Sequence, residues 1–124
     1  MEEKKCILVV DDEPGVRALL GRILQNEGYE VVSAQNGQEA LDIYREKEPD
    51  LLMLDISMPE LDGFQVLGAL RKISDVPVIM LTAKLDAVNA SNAFSLGADD
   101  YIRKPFHKQE LLARVKVKLR RTES

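Results

Sequence analysis

Two hydrophobic periods alternate along this chain, and each change of period marks a border between a predicted strand and a predicted helix. Continuous apolar runs are typical of strands covered on both faces of a sheet, and apolar residues three and four apart are typical of one helical face. Five helical segments follow five apolar runs, which are residues 6–10, 29–34, 51–54, 76–81 and 101–102. This alternation predicts an α/β domain: a doubly wound five-stranded parallel sheet with helices on both faces.

The predicted helices also carry signals at their ends. Pro14 suits the first turn of the first helix, and Gly28 suits its end. Asn36 is the predicted N-cap of the second helix, because Glu39 follows it three residues later. The loops between these elements are short, so the chain is predicted to form one domain without an internal linker or repeat.

Composition and charge narrow the class of protein. The 124 residues are 45% apolar, which is enough for a packed core. A net charge of −4 argues against wholesale nucleic-acid binding. One cysteine cannot form an internal disulfide, no apolar run approaches the roughly 20 residues of a membrane span, and the N-terminus lacks the apolar part of a signal peptide. We therefore expect a soluble, cytoplasmic domain without membrane contact.

Charge is concentrated where the predicted strands end. The stretch LVVDDE takes the first strand directly into three carboxylates. In a doubly wound parallel sheet, binding sites lie outside the carboxyl ends of the strands. If strands one, three and four are neighbours, their ends and the segment after strand five bring together Asp11, Asp12, Glu13, Asp55, Thr82 and Lys104.

Such a cluster of acids indicates a bound cation. Two carboxylates ~4 Å apart repel by about 4 kcal/mol at an effective dielectric constant near 20, so several pairs together rival a domain stability of about 5–15 kcal/mol. Oxygen ligands without histidine or cysteine select a hard cation, Mg²⁺ or Mn²⁺. A carboxylate that faces Mg²⁺ and Lys104 is also suited to attack a phosphoryl group, because both cations neutralise the incoming charge.

Four segments, in order, resemble the receiver domains of response regulators in two-component signalling, the CheY-like family. They are LVVDDE, LMLDISMPELDG, VIMLTAK and LGADDYIRKPF, and the likeness covers nearly the whole chain. The resemblance implies a flavodoxin-like strand order 2-1-3-4-5, which the hydrophobic periods alone do not give. It also implies a sensor histidine kinase as the partner that supplies phosphate.

The resemblance assigns roles to the acidic residues. Asp55 corresponds to the phosphoacceptor, and Asp12 to a direct ligand of Mg²⁺, with Mn²⁺ as the other possible ion. Asp11 corresponds to an acid that acts on the metal mainly through water. The backbone carbonyl of Ser57 corresponds to the third protein ligand.

A second group of residues is implied to act on the phosphoryl group and to transmit its presence. Thr82 corresponds to the hydroxyl that hydrogen-bonds the phosphoryl group, and Lys104 to its ammonium partner. Pro105 corresponds to a proline after a cis peptide bond, a form rare except before proline. Tyr101 corresponds to the aromatic switch residue. Together they would couple phosphorylation to the surface of helix four, strand five and helix five.

Two other classes of protein fit the sequence less well than a receiver does. A Mg²⁺-dependent phosphohydrolase normally has a second acid two residues after its nucleophile, and here that residue is Ser57. A dinucleotide-binding domain requires G-x-G-x-x-G after its first strand, and DDEPGV stands there.

If the chain is a receiver, Ser57 and Lys84 occupy positions that influence hydrolysis of the acyl phosphate. Neither supplies a carboxylate or amide to orient water, which favours a long-lived phosphorylated state.

The output of the receiver is the open question of the sequence. The ending GADDYIRKPFHKQELLARVKVKLRR resembles receivers joined to a winged-helix DNA-binding domain, so we expect a receiver over residues 1–121 and a tail or linker start over 122–124. Control of transcription is then the expected output, and a stand-alone CheY-like adaptor is the alternative. The basic last helix must dock on the sheet, so this domain is not expected to contact nucleic acid directly.

Receivers of the winged-helix class are also expected to form a phosphorylation-dependent homodimer. Its two-fold face is implied to hold intermolecular ion pairs, of which two can be matched here, Asp100 with Arg114 and Asp99 with Arg121. The third pair would join Glu110 to a basic residue of helix four, where this chain has Ala90. The dimer is therefore predicted to be weaker than in its relatives.

Overall fold

The computed structural model describes residues 4–83 and 87–120, with the side chains of 87–90 excepted. Strands and helices alternate through these residues as β1 Cys6–Val10, α1 Pro14–Asn26, β2 Glu30–Ala34, α2 Gly37–Lys47, β3 Leu51–Asp55, α3 Gly63–Arg71, β4 Val78–Thr82, α4 Ala87–Ser95, β5 Asp100–Arg103 and α5 Lys108–Arg120. The predictions that concern Lys84, Arg121, the tail 122–124 and the Ala90 side chain fall outside this description. Within it, no helix has the length and apolar character needed to cross a bilayer.

The strands form one parallel sheet in the order β2-β1-β3-β4-β5. This confirms the doubly wound, flavodoxin-like fold. Because β1, β3 and β4 are neighbours, their carboxyl ends share one edge of the sheet. The register is offset so that Asp55 lies opposite Leu81, and Thr82 lies opposite Arg103 on β5.

The core has two halves, one on each face of the sheet. Successive strand residues point to opposite faces, so Leu8 and Val10 join one apolar cluster while Ile7 and Val9 join the other. Helices α2 and α3, with Ala93 of α4, complete the first cluster, and α1 and α5 complete the second. All residues of β3 and β4 are buried as a result, which explains why each strand is apolar up to its last residue, Asp55 in β3 and Thr82 in β4.

Strand borders differ from the predicted ones where the backbone finds other partners. The predicted fourth strand began at residue 76, but β4 begins at Val78. The Val76 N–H donates to Ser74 Oγ at 2.9 Å, and Pro77 has no N–H to donate. Likewise β2 begins one residue after Tyr29, because the Tyr29 N–H returns to the Leu24 carbonyl at 3.2 Å.

Three local features fix helices beside the edge of the sheet. Asn36 caps α2 by accepting the Glu39 N–H at 2.8 Å, as predicted. Gly63 begins α3 against the end of β3, where a Cβ atom would overlap the Asp55 carbonyl oxygen. Asp62 and Gln65 form a reciprocal capping box at the same helix end. The start of α3 is therefore held against the segment that carries Asp55.

Candidate functional site

Three carboxylates meet at the carboxyl edge of the sheet. Asp11, Asp12 and Asp55 each offer an oxygen, and these oxygens lie within 4.8 Å of one another. Asp11 and Asp55 are buried at 0% and 3% exposure, whereas Asp12 is exposed. The site is thus a buried acidic floor with one side chain reaching it from the solvent side.

Lys104 supplies the positive charge of this cluster. Its Nζ atom lies 2.7 Å from Asp11 Oδ2, 3.5 Å from Asp55 Oδ1 and 3.9 Å from Glu13 Oε1. The residue follows β5, its N–H donates to the Thr82 carbonyl at 2.6 Å, and its peptide bond to Pro105 is cis. Burial opposes its charge, but the hydrogen bond to Asp11 and the nearby carboxylates raise the pKa of Lys104 above its ordinary value.

The surroundings of Asp55 make its charged form less stable than that of a carboxylate in water. Burial is the main cause and Asp11 the next, and together they raise the pKa of Asp55 to about 6. Lys104 and the Ser57 N–H, which donates to Asp55 Oδ1 at 3.3 Å, act in the opposite direction. The charge of one ammonium therefore does not fully compensate the acids around it.

Asp11 and Asp12 differ in how far the protein already occupies their oxygens. Asp11 Oδ1 accepts the Glu13 N–H at 2.9 Å, and Oδ2 accepts Lys104 Nζ. No hydrogen bond to the Asp12 carboxylate occurs among the described residues. Asp12 and Asp55 are consequently the acids with the greatest capacity left for a cation.

Thr82 and Tyr101 occupy the two strands beyond the acidic cluster. Thr82 closes β4 at 3% exposure, one position after the residue that faces Asp55. Tyr101 on β5 is 8% exposed and belongs to the core cluster on the α2–α3 face. The ring of the expected switch residue therefore lies inside the core of this chain.

Residues expected on the dimer face have partners within the same chain. Arg114 Nη1 lies 2.6 Å from Asp100 Oδ1, and its Nε atom donates to Glu110 Oε1 at 3.2 Å. Asp99 Oδ2 accepts the Val78 N–H at 2.9 Å and pairs with Arg71 Nη2 at 3.0 Å. The spacing of charges along the sequence does not reveal these intrachain pairs.

One residue beside the site was also missed by the sequence analysis. Arg17 on α1 donates from Nη1 to the Asp11 backbone carbonyl at 2.7 Å. The available signal was the position of Arg17, four residues after Glu13 on a helix that begins beside an acidic cluster. This signal is weak, because a basic residue on an amphipathic helix is usually a solvated surface charge.

Comparison with known proteins agrees with this arrangement. Residues 7–116 match the family described as response regulator receiver domain. The chain belongs to this family. In a solved structure, the CheY-like receiver domain protein from Methanospirillum hungatei JF-1 is similar with a TM-score of 0.92 and 33% identity, over 98% of each chain.

Relatives with transcriptional names share the receiver sequence. The chain is 52% identical to "Probable transcriptional regulator ycf27" of Cyanophora paradoxa over 98% of this chain and 51% of that protein. It is 48% identical to "Transcriptional regulatory protein SrrA" of Staphylococcus aureus (strain NCTC 8325 / PS 47) over 95% and 49%. The chain spans about half the length of these curated relatives. It is therefore a response regulator receiver domain with transcriptional regulators among its relatives.

Proposed function

We propose that this receiver is operated by phosphorylation of Asp55, with a sensor histidine kinase as the physiological donor. The observation that carries the proposal is the position of Asp55, buried within 4.8 Å of two further carboxylates and 3.5 Å from Lys104 Nζ. Asp55 is only 3% exposed, so its surroundings differ from those of a solvated surface carboxylate. They provide a nucleophile together with the charges that would receive a phosphoryl group.

The donor set fits Mg²⁺, with Mn²⁺ as the alternative ion. Asp12 and Asp55 would bind through carboxylate oxygens, Ser57 through its backbone carbonyl, and Asp11 mainly through water. Two observations support this division: Asp11 already accepts two hydrogen bonds, and Asp12 is open to solvent. When bound, Mg²⁺ supplies positive charge to the phosphoryl oxygens and completes its coordination with water.

The chemistry at Asp55 is a phosphoryl transfer. A carboxylate oxygen of Asp55 forms a bond to phosphorus while the P–N bond of the donor phosphohistidine breaks, and the departing imidazole nitrogen takes a proton from water. A pKa of about 6 leaves most Asp55 charged at neutral pH, so the nucleophile is present. Lys104 and the Thr82 hydroxyl would then bind the oxygens of the acyl phosphate.

The domain would promote only its own phosphorylation and dephosphorylation. A phosphohydrolase is the less favoured alternative, because Ser57 stands where that class has its second acid. Turnover separates the two: a receiver consumes about one acetyl phosphate per chain before slow hydrolysis, whereas a phosphohydrolase repeatedly cleaves added phosphate esters. Ser57 and Lys84 supply neither a carboxylate nor an amide to orient water, which favours slow hydrolysis.

Thr82 and Tyr101 would transmit phosphorylation to the surface of α4, β5 and α5. A phosphoryl group offers strong acceptors to Thr82 and Lys104, and the resulting shift of Thr82 would favour one position of the buried Tyr101 ring. We expect the Thr82→Ala variant still to accept a phosphoryl group. The amide NMR shifts that beryllofluoride causes on this surface should, however, be less than about half as large in this variant as in the wild type.

Thr82→Ser is the matched control, because it keeps the hydroxyl and should retain most of the response. Beryllofluoride serves as the probe because it mimics a phosphoryl group on an aspartate. Shifts of wild-type size in Thr82→Ala would refute the coupling through this hydroxyl.

Control of transcription is the proposed output, through a C-terminal DNA-binding domain outside this chain. Relatives about twice as long bear transcriptional names, and this chain matches about half of each. A stand-alone adaptor is the alternative. Residues 1–121 would form the receiver and 122–124 a tail or linker start. The receiver itself would contact neither DNA nor a membrane, and the proposed location is the cytoplasm.

A homodimer through α4, β5 and α5 is part of this proposal. Arg114 already pairs with Asp100 within the chain, so exchanging that pair between two copies would gain little. Exposed ion pairs contribute only about 0–1 kcal/mol each. We expect the beryllofluoride-bound domain to form a weak dimer in sedimentation, with Ala90→Arg tightening it several-fold and Arg114→Glu abolishing it.

Arg22→Glu, which reverses an exposed charge on α1 instead, controls for the change in net charge. A strictly monomeric wild-type domain at high micromolar concentration would remove the dimer and favour the adaptor. That result would leave the phosphorylation of Asp55 untouched.

A further inference from the structure

The loop that carries Asp11 and Asp12 is held from three sides. The Asp11 N–H donates to the Ala34 carbonyl at 3.2 Å, which extends the β1–β2 pairing by one residue. The Asp11 side chain bonds the Glu13 N–H and Lys104 Nζ. The remaining polar group, the Asp11 carbonyl, accepts the Arg17 guanidinium at 2.7 Å. That carbonyl belongs to the peptide unit from which Asp12 extends.

The loop that carries Asp11 and Asp12 is not joined to α1 by a side-chain capping hydrogen bond. Glu13 is the N-cap of α1, but its side chain makes no capping hydrogen bond, and no acidic side chain lies in the first turn. Pro14 at the start of the helix has no N–H to offer. The Arg17 side chain thus provides a connection between α1 and the acidic loop that capping provides elsewhere.

The charge of Arg17 does not explain its position. Within the described part of the chain, no carboxylate oxygen lies within 4.0 Å of its guanidinium, which is only partly buried. By charge alone, a cation beside an acidic cluster would weaken the binding of another cation. The contact with a neutral carbonyl indicates a geometric role. Repulsion between Arg17 and a metal ion would lower metal affinity, whereas correct placement of a ligand by Arg17 would raise it.

We propose that Arg17 is a positioning residue for the acidic site. Its guanidinium fixes the Asp11–Asp12 peptide so that the exposed Asp12 carboxylate is held toward Asp55. The inference rests on the proposed Mg²⁺-dependent function and goes beyond it, because it assigns to α1 the orientation of one ligand. Outer groups that orient a metal ligand typically affect affinity by about 10–100-fold.

The test compares Arg17→Gln with Arg22→Gln. Both variants remove one positive charge from α1, but Arg22 is exposed and contacts no residue of the site. Mg²⁺ dissociation constants would be measured by calorimetry and by NMR titration of the Asp12 and Glu13 amides, with urea unfolding of the metal-free variants. We expect Arg17→Gln to weaken Mg²⁺ binding about tenfold and Arg22→Gln to change it less than about twofold.

The possible outcomes separate this inference from the proposed function. Equal Mg²⁺ affinity in the two variants, with or without a loss of stability in Arg17→Gln, would overturn the positioning role alone. A gain of Mg²⁺ affinity in Arg17→Gln would show that charge outweighs geometry and would also overturn it. A wild-type chain that binds no Mg²⁺ would overturn the proposed function and this inference with it.

Discussion

Replacing Asp55 with asparagine should abolish formation of the acyl phosphate. Asparagine has nearly the same shape but offers an amide in place of the charged oxygen that would attack phosphorus. Removing a nucleophile from a preorganised site commonly lowers the rate by on the order of 10³-fold or more. The expected observation is therefore that the variant incorporates no detectable phosphate from acetyl phosphate or phosphoramidate during the time in which the wild type is fully modified.

The control for this experiment is Asp75→Asn, which makes the same chemical change at an exposed position before β4. It should be phosphorylated at the wild-type rate. Slow labelling of Asp55→Asn at a neighbouring acid would be compatible with the account, since Asp12 lies exposed in the same cluster. Undiminished labelling of the variant would refute Asp55 as the acceptor.

The metal-free domain should lose stability as pH rises from about 4 to above 6. Folding raises the pKa of Asp55 from 3.8 to about 6, mainly through burial and then through Asp11. The folded state therefore binds the proton more tightly than the unfolded chain, and stability falls wherever the folded state holds more protons. A rise of about two pKa units corresponds to about 3 kcal/mol, a large share of a typical domain stability of about 5–15 kcal/mol.

The difference between wild type and Asp55→Asn isolates this contribution from other titrating groups. The variant should be the more stable protein near pH 7 without metal, by up to about 3 kcal/mol relative to their difference at pH 4. Mg²⁺ should reduce the gap, because a cation that binds the folded wild type adds about 2.7 kcal/mol at 100 times its dissociation constant. Urea unfolding at several pH values measures both effects. If the free energies of unfolding of the two proteins changed in parallel with pH, folding would not raise the pKa of Asp55.

The doubly wound fold followed from the sequence because it depends on local patterns, whereas the convergence of the site also required the strand order. Unbroken apolar runs such as β3 identify buried parallel strands, and the residues directly after them lie at one edge of the sheet by geometry. The strand order came instead from the family resemblance. Hydrophobic periods state that strands are buried but not which strands are neighbours.

The partners of individual charged residues could not be predicted in this way. Asp99 was assigned to an intermolecular pair, yet in this chain it binds Arg71, 28 residues away, and the Val78 N–H. Arg71 also lies against Gly97: its Nε atom donates to the Gly97 carbonyl at 2.9 Å, and a Cβ atom at residue 97 would lie 3.0 Å from that nitrogen. Neither fact is visible in the spacing of charges, because it depends on how α3 ends beside the α4–β5 loop.

The degree of burial was also beyond local patterns. The sequence places Tyr101 on a short strand, and the structure shows that its ring lies in the core, because β5 packs beside the fully buried β4. The raised pKa of Asp55 likewise arises mainly from three-dimensional burial and then from its acidic neighbour Asp11. Sequence spacing identified the charges that would meet, while the structure determined which of them are shielded from water.

The central claim is that Asp55 accepts a phosphoryl group in a reaction that requires a divalent cation. The most direct measurement is mass spectrometry of the intact wild-type domain after incubation with phosphoramidate, with and without Mg²⁺, followed by peptide mapping of the modified residue. We expect one phosphoryl group per chain, located on Asp55, in the presence of Mg²⁺. A chelator of divalent cations should strongly lower the fraction of modified protein. A phosphoryl group located on another residue, or equal modification without any divalent cation, would contradict it.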